Sequence, residues 1–369
     1  MGYYHGKISQ QIQQTKKGPW YLTLSVTPGP VTKIQWVDVN FSPEMQHDPV
    51  FTKWLLSVKM KPGDALNQGT YEAVKNELLT LALSRGYFDA HYSRSEILVN
   101  RDLNTAQISL DFDSGKRYRI GDISFEGDTL EDGFLDRLIP FKPHSKYNAN
   151  KLSKLNQRLL ATGYFANIKV IPQMDQAQDQ QIPIKVELAD KPGNSFQIGI
   201  GADIGGNTTK PFDPRYRVTW KTPQINRYGH SQETTFEWSK DQPKFLTTYT
   251  IPLTHPLNDQ LKIRMGILRE QYGLTQSYNS NDHQFDNTGH LESTKRLFGV
   301  LRQQSLKHKW LLGYSVESIK ESYTQSEIDY DPTFYLFGMS LQKTVRGDNS
   351  FDLNGDTNKF IVWIMPTLH

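Results

Sequence analysis

The 369 residues carry 42 basic and 39 acidic side chains, a formal charge of +3, and the basic ones form no tract of the kind that binds nucleic acid. A hydrophobic share of 37% with 12% aromatics suffices for two to four folded domains and excludes a disordered chain. Without cysteine there is no disulfide, thiolate metal site or thiol nucleophile, and without a run of roughly 20 apolar residues there is no helical membrane span. A β-barrel stays open, because its strands alternate lipid-facing and lumen-facing residues and so escape hydropathy averages.

In chain order, Met1-Gly2-Tyr3-Tyr4-His5 lacks the charged-then-apolar layout of a signal peptide, so the chain is expected to start internally or after a removed export signal. Gly2-Tyr3-Tyr4, Gly86-Tyr87-Phe88 and Gly163-Tyr164-Phe165 repeat at about 80 residues, a domain length. The second and third copies close helical patterns. Tyr71, Val74, Leu78, Leu81 and Ala82 share one helix face, and Leu152, Leu155 and Leu159 share another. Gly86 and Gly163 stand where a left-handed C-cap residue is needed. A strand pair follows each helix: Glu96–Val99 with Ala106–Phe112, and Asn167–Ile171 with Ile182–Leu188. A first strand precedes each, Ile34–Phe41 and Ile120–Phe125. Next comes a short helix: Asp48-Pro49 cap one over Phe51–Leu56, and Leu130–Ile139 carries the other. The order strand, helix, helix, strand, strand is thus present twice, with residues 2–28 supplying the last third of an earlier copy.

After the hinge Lys191-Pro192-Gly193-Asn194 the period becomes two. Phe196, Ile198, Ile200 and Ala202 fall on one face, and Gln197, Gly199, Gly201 and Asp203 on the other. The alternation recurs through Tyr216–Trp220, Thr234–Trp238, Phe245–Ile251, Leu261–Ile267, Trp310–Val316 and Tyr335–Leu341. The opposing set, including Arg217, Lys262, Arg264, Gly266, Gly313 and Glu317, is polar and glycine-rich. Eight or nine strands are predicted, joined by short turns such as Asp241-Gln242-Pro243 and by long polar loops at Tyr272–Thr294 and Gln325–Asp331. The period leaves three arrangements open: a membrane barrel, a soluble sandwich, or a lipocalin-like barrel with its apolar face inward.

The helix-capping Gly-Tyr-Phe and the segment Tyr118-Arg119-Ile120-Gly121-Asp122-Ile123-Ser124-Phe125-Glu126-Gly127 resemble POTRA modules. POTRA modules running through a short hinge into a barrel strand resemble the BamA-like outer-membrane insertase superfamily. Within it, Gly163-Tyr164-Phe165, Val186-Glu187-Leu188 and Phe196-Gln197-Ile198-Gly199-Ile200-Gly201 look most like the TamA autotransporter assembly factors. The resemblance implies residues 1–29 as the end of one POTRA module, 30–114 and 115–191 as two more, and 192–369 as the N-terminal half of an outer-membrane barrel. Val345-Arg346-Gly347 is followed by Asp348 rather than the aromatic of the family's loop motif, and the ending Pro366-Thr367-Leu368-His369 lacks its aromatic last strand. Both point to a fragment.

The implied location is the bacterial outer membrane with the modules in the periplasm. The implied partners are unfolded outer-membrane or autotransporter clients, outer-membrane lipid and a periplasm-spanning protein of the TamB type. The candidate gate strand is Phe196, Gln197, Ile198, Gly199, Ile200, Gly201, Ala202 and Asp203, offering its edge to extended clients. No cofactor and no catalysis are expected: His-Glu-x-x-His and Gly-x-Ser-x-Gly are absent, His255, His283, His290 and His308 fall in or beside predicted loops, and Asp282 and Asp286 lack EF-hand spacing. A two-partner secretion pore and a soluble periplasmic β-rich scaffold are the competing classes.

Overall fold

A computed structural model describes residues 2–14, 18, 20–204, 212–239, 242–273, 277–279, 284–286, 290–307, 310–325, 328–344 and 357–364. Outside them lie Asp241, Asp282, His283, His308, Val345-Arg346-Gly347 and Pro366-Thr367-Leu368-His369. The chain divides into two compact units, residues 1–124, 141–154 and 171–185 in one and 125–140, 155–170 and 186–369 in the other.

The first unit opens with an antiparallel hairpin, β1 (Lys7–Gln14) and β2 (Trp20–Thr27). Then follow β3 (Lys33–Phe41), α1 (Pro43–Gln46), α2 (Pro49–Ser57), α3 (Gln68–Ser84), β4 (His91–Asn100) and β5 (Thr105–Asp113). The sheet order is β3-β5-β4, with β3 parallel and β4 antiparallel to the central strand. As the Asp48-Pro49 pair requires, Asp48 caps α2 by accepting from Val50 N at 3.2 Å. The α3 stripe of Tyr71, Val74, Leu78 and Ala82 is buried against Ile108, Leu110 and Phe112 of β5, with Phe51 and Tyr87 closing the core. Helix α3 ends at Gly86, whose φ of +92° a side chain would resist.

The second α/β element set is β6 (Arg119–Glu126), α4 (Ala149–Thr162), β7 (Phe165–Pro172) and β8 (Gln181–Asp190), with sheet order β6-β8-β7. Leu155 and Leu159 of α4 are fully buried. The helix expected over Leu130–Ile139 is only a 3₁₀ turn at Leu135–Leu138. Gly133 has a φ of +74°, which breaks the helix, and the N–H of Glu131 is committed to Arg227 O at 2.9 Å.

A main-chain relay recurs at Gly2 and at Gly86, the first two of the glycine–aromatic repeats. Thr32 N donates to Gly2 O (2.7 Å) and Leu66 N to Thr32 O (2.9 Å). One repeat later Tyr118 N donates to Gly86 O (2.8 Å) and Tyr147 N to Tyr118 O (3.0 Å). The approach is close enough that a Cβ on Gly86 would lie 2.7 Å from Tyr147 Cβ.

In the second unit the period-two sequence forms β9 (Ser195–Ile204), β10 (Phe212–Thr222), β11 (Ser231–Trp238), β12 (Lys244–His255), β13 (Asp259–Gly273), a short hairpin of β14 (Ser277–Asn279) and β15 (Gln284–Asp286), β16 (His290–Ser305), β17 (Trp310–Gln325), β18 (Ile328–Tyr330), β19 (Thr333–Thr344) and β20 (Thr357–Ile364). Nine long strands pair antiparallel in the order β20-β19-β17-β16-β13-β12-β11-β10-β9, with β18 on the end of β17.

Register turns the alternation into two faces. Ile198, Val218, Phe236, Phe245 and Ile267 are successive cross-strand partners, and all five are exposed. Behind them run Glu233–Lys221, Arg264–Glu317 and Lys295–Glu270 ion pairs at 3.2, 3.9 and 2.9 Å.

Two expectations change. The polar face is not wholly polar, since Leu246, Leu297 and Ile319 line an apolar recess of about 260 Å³ around Gly266. The predicted loops at Tyr272–Thr294 and Gln325–Asp331 are largely strand, because ladder pairing runs past the apolar belt to Gly273↔His290 and Tyr323↔Tyr330. Backbone hydrogen bonds carry those ends, whatever their side chains.

Leu78→Ala should destabilise the first unit by about 2–5 kcal/mol, and Leu83→Ala, on the exposed side of α3, by less than about 1. Urea denaturation followed by circular dichroism measures both, and equal losses would contradict the core assignment.

Candidate functional site

All eight candidate residues lie on β9, paired with β10 from Phe196↔Trp220 through Ile198↔Val218 and Ile200↔Tyr216 to Asp203↔Asp213. Among the described residues β9 is hydrogen-bonded on that side only, so it forms one edge of the sheet. Ile198 and Ile200 are 79% and 80% exposed, more open than their partners on β10.

The glycines have a local meaning. A Cβ on Gly201 would meet nothing within 4 Å, and one on Gly199 would meet only Arg217 Cβ at 3.8 Å, so crowding does not demand either. Their effect is to weaken the strand, and Pro214, opposite Ala202, brings no N–H to the pairing. The two glycines and Ile200 border a recess of about 200 Å³ shared with Arg215, Arg217 and Glu237. There Glu237, 7% exposed, accepts from Arg217 Nε at 2.7 Å and Arg215 Nη1 at 3.3 Å. The ion cluster ties β10 to β11.

The turn between β10 and β11 is anchored to the α/β elements of the same unit. Tyr164 Oη donates to Gly229 O at 2.8 Å, and Phe134 packs 6.0 Å from the Tyr164 ring. Gly229 has a φ of +73°, and a Cβ there would fall 2.6 Å from Phe134 Cζ. Arg227 pairs with Glu131 at 2.7 Å, and Arg137 Nη1 donates to Leu253 O at 3.3 Å. The hinge is tied in as well: Lys191 N donates to Tyr164 O (2.8 Å), while Asn194 Oδ1 accepts from Trp220 Nε1 (2.8 Å) and Thr222 Oγ1 (2.9 Å). Tyr164 was visible in the sequence as a repeat aromatic. Phe134, Glu131, Arg227 and Gly229 were not, and the one signal for this anchor was Asn226-Arg227-Tyr228-Gly229 between two alternating runs.

Residues 118–189 match the POTRA family, described as surface antigen variable number repeat. The outer membrane protein assembly factor BamA of Buchnera aphidicola is 23% identical over 220 residues, 56% of this chain and 33% of that protein. The BamA of Neisseria meningitidis serogroup B is 27% identical over 134 residues, 34% of this chain and 16% of that one. Over these segments the chain is similar to BamA (Omp85) proteins, and residues 118–189 carry a POTRA module. The BamA of Haemophilus ducreyi lacking POTRA domains 1–3 shares the fold at a TM-score of 0.63 and 13% identity, over 87% of this chain and 61% of that one. The nine-strand sheet resembles part of a BamA barrel. As in the BamA relatives, the POTRA part lies in the periplasm and the sheet in the outer membrane. The chain spans about a third or less of the length of these two BamA relatives.

In a barrel of the BamA kind the exposed row through Phe236 is the face turned to lipid. Phe236→Arg should destabilise the inserted protein by about 2–4 kcal/mol, and Thr235→Arg, on the polar face, by less than about 1. Urea unfolding from vesicles reads the difference, and equal shifts would reverse the faces. Burial pushes the Tyr164 hydroxyl from 10.0 up to about 12. A raised folded value means that its stabilisation is complete below pH 10 and lost as pH climbs toward 12. Tyr164→Phe should cost about 1 kcal/mol at neutral pH and flatten that alkaline limb. An unchanged limb in stability-against-pH curves would refute the role given to this hydroxyl.

Proposed function

We propose that the protein assembles β-barrel proteins into the outer membrane, with Phe196–Asp203 as the gate strand that receives extended client segments. The observation that carries this reading is the weak pairing of β9 with β10: a Cβ on Gly201 would meet nothing, one on Gly199 only Arg217 Cβ at 3.8 Å, and Pro214 lacks an N–H. An edge with unpaired N–H and C=O groups takes any extended partner by strand addition. Inside lipid the drive is strong, since each unsatisfied backbone group costs several kcal/mol.

On this reading the clients are unfolded outer-membrane proteins. The TamA-like segments Gly163-Tyr164-Phe165, Val186-Glu187-Leu188 and Phe196–Gly201 favour autotransporters among them, with a TamB-type protein as periplasmic partner. Residues 1–29, 30–114 and 115–191 serve as POTRA modules that present further strand edges, and 192–369 as barrel.

Gly199→Val with Gly201→Val adds two β-branched residues where there is room for them. It should strengthen β9 pairing by about 1 kcal/mol per site and slow client insertion several-fold. Photocrosslinkers at positions 197 and 198 should capture a client that crosslinkers at 235 and 236 do not. Equal capture at both pairs, or valine variants that insert clients at the wild-type rate, would rule out β9 as the gate.

A further inference from the structure

The linker Lys116-Arg117-Tyr118-Arg119 places three cations within four residues. It borders a cleft of about 660 Å³ in the first unit, lined by Asp48, Arg85, Lys116, Arg117, Arg119 and Lys146 among others. Asp48, whose side chain is 5% exposed, holds two guanidinium groups. Arg85 donates from Nε (2.8 Å) and Nη2 (2.9 Å), and Arg117 from Nη1 (3.1 Å). Arg117 is fixed further by donating from Nε to Arg85 O at 3.0 Å and by lying over the Tyr87 ring. One carboxylate facing two guanidinium groups leaves a positive charge uncompensated in a place largely withdrawn from water, which is unfavourable until an anion reaches it.

A separate feature points the same way. Arg119 and Lys146 are direct partners in a β-bridge, so two like charges share one face, an arrangement that normally destabilises a pair. Among the described residues no carboxylate forms an ion pair with Lys116, Arg119 or Lys146, and Glu44 is the one further acid on the lining. The excess field reaches Lys151, whose ammonium is held below the usual lysine range by burial first and by Arg117 second.

We propose that this cleft binds a phosphate group, with Lys116, Arg119 and Lys146 as its donors and Arg117 as a fixed positive wall. A phosphate presents three strong acceptor oxygens and up to two charges, so it can engage all these donors at once, whereas a carboxylate offers two oxygens and one charge. The cleft has the size of a small-molecule site rather than of a bare ion, so the phosphate is carried on a small polar body. A soluble phosphate ester and a membrane-lipid headgroup share that chemistry.

The test is calorimetric titration of the folded full chain, in a zwitterionic detergent, with glycerol 3-phosphate and with dihexanoyl phosphatidylglycerol. Saturable binding of the ester alone assigns the soluble source, and of the lipid alone the headgroup; either supports the site. Arg119→Gln with Lys146→Gln should weaken binding at least about tenfold, and Lys53→Gln, on the exposed side of α2, should leave it unchanged. The double variant should melt at or above wild type, since it removes a like-charge pair. Absence of binding to both probes, unaltered affinity in the double variant, or a lowered melting temperature would overturn the proposal.

Discussion

In hydrocarbon every main-chain N–H and C=O seeks a partner within the protein, and from Ser195 onward the described strands find theirs on neighbouring strands. Antiparallel ladders meet it from β9 to β20, and the registry that closes each ladder also decides which side chains face lipid. A slip of one residue between β10 and β11 would exchange Phe236 for Glu237, placing a carboxylate in the apolar belt and an aromatic among the arginines. The pairing of Glu237 with Arg215 and Arg217 therefore guards the registry as well as adding stability.

Stiffness is unevenly distributed beside the edge strand. The β10–β11 turn is held by Tyr164, Phe134 and Glu131, and the hinge is fastened by Asn194 and Lys191. β9 leaves that anchored start with Gly199 and Gly201 on one face and, among the described residues, a hydrogen-bonded neighbour on one side. A strand fixed at its origin and weakly paired along its length can peel without loss of position, which is what the gate role proposed for it requires.

Much of this could be read from residues alone. Phe196, Ile198 and Ile200 announce their face through period two, and Tyr71, Val74, Leu78 and Ala82 announce theirs through helical spacing, because burial acts on side chains one by one. The ends of β13 and β16 could not be read, since Gln271, Tyr272 and His290 are placed by ladder bonds that ignore side-chain character. Leu130–Ile139 misled for a related reason: its apolar spacing suits a helix, but Gly133 and the contact of Glu131 with Arg227 redirect the backbone. The anchor at Gly229 depends on residues about 65 and 95 positions away, a separation at which no local pattern carries information.

The relay through Gly2, Thr32 and Leu66, repeated through Gly86, Tyr118 and Tyr147, uses peptide groups rather than particular side chains. A joint of this kind tolerates sequence drift on both sides provided the glycine is kept. A duplicated cassette would arrive with its connector already complete, and the array could lengthen or shorten over evolutionary time without inventing a new interface at each step.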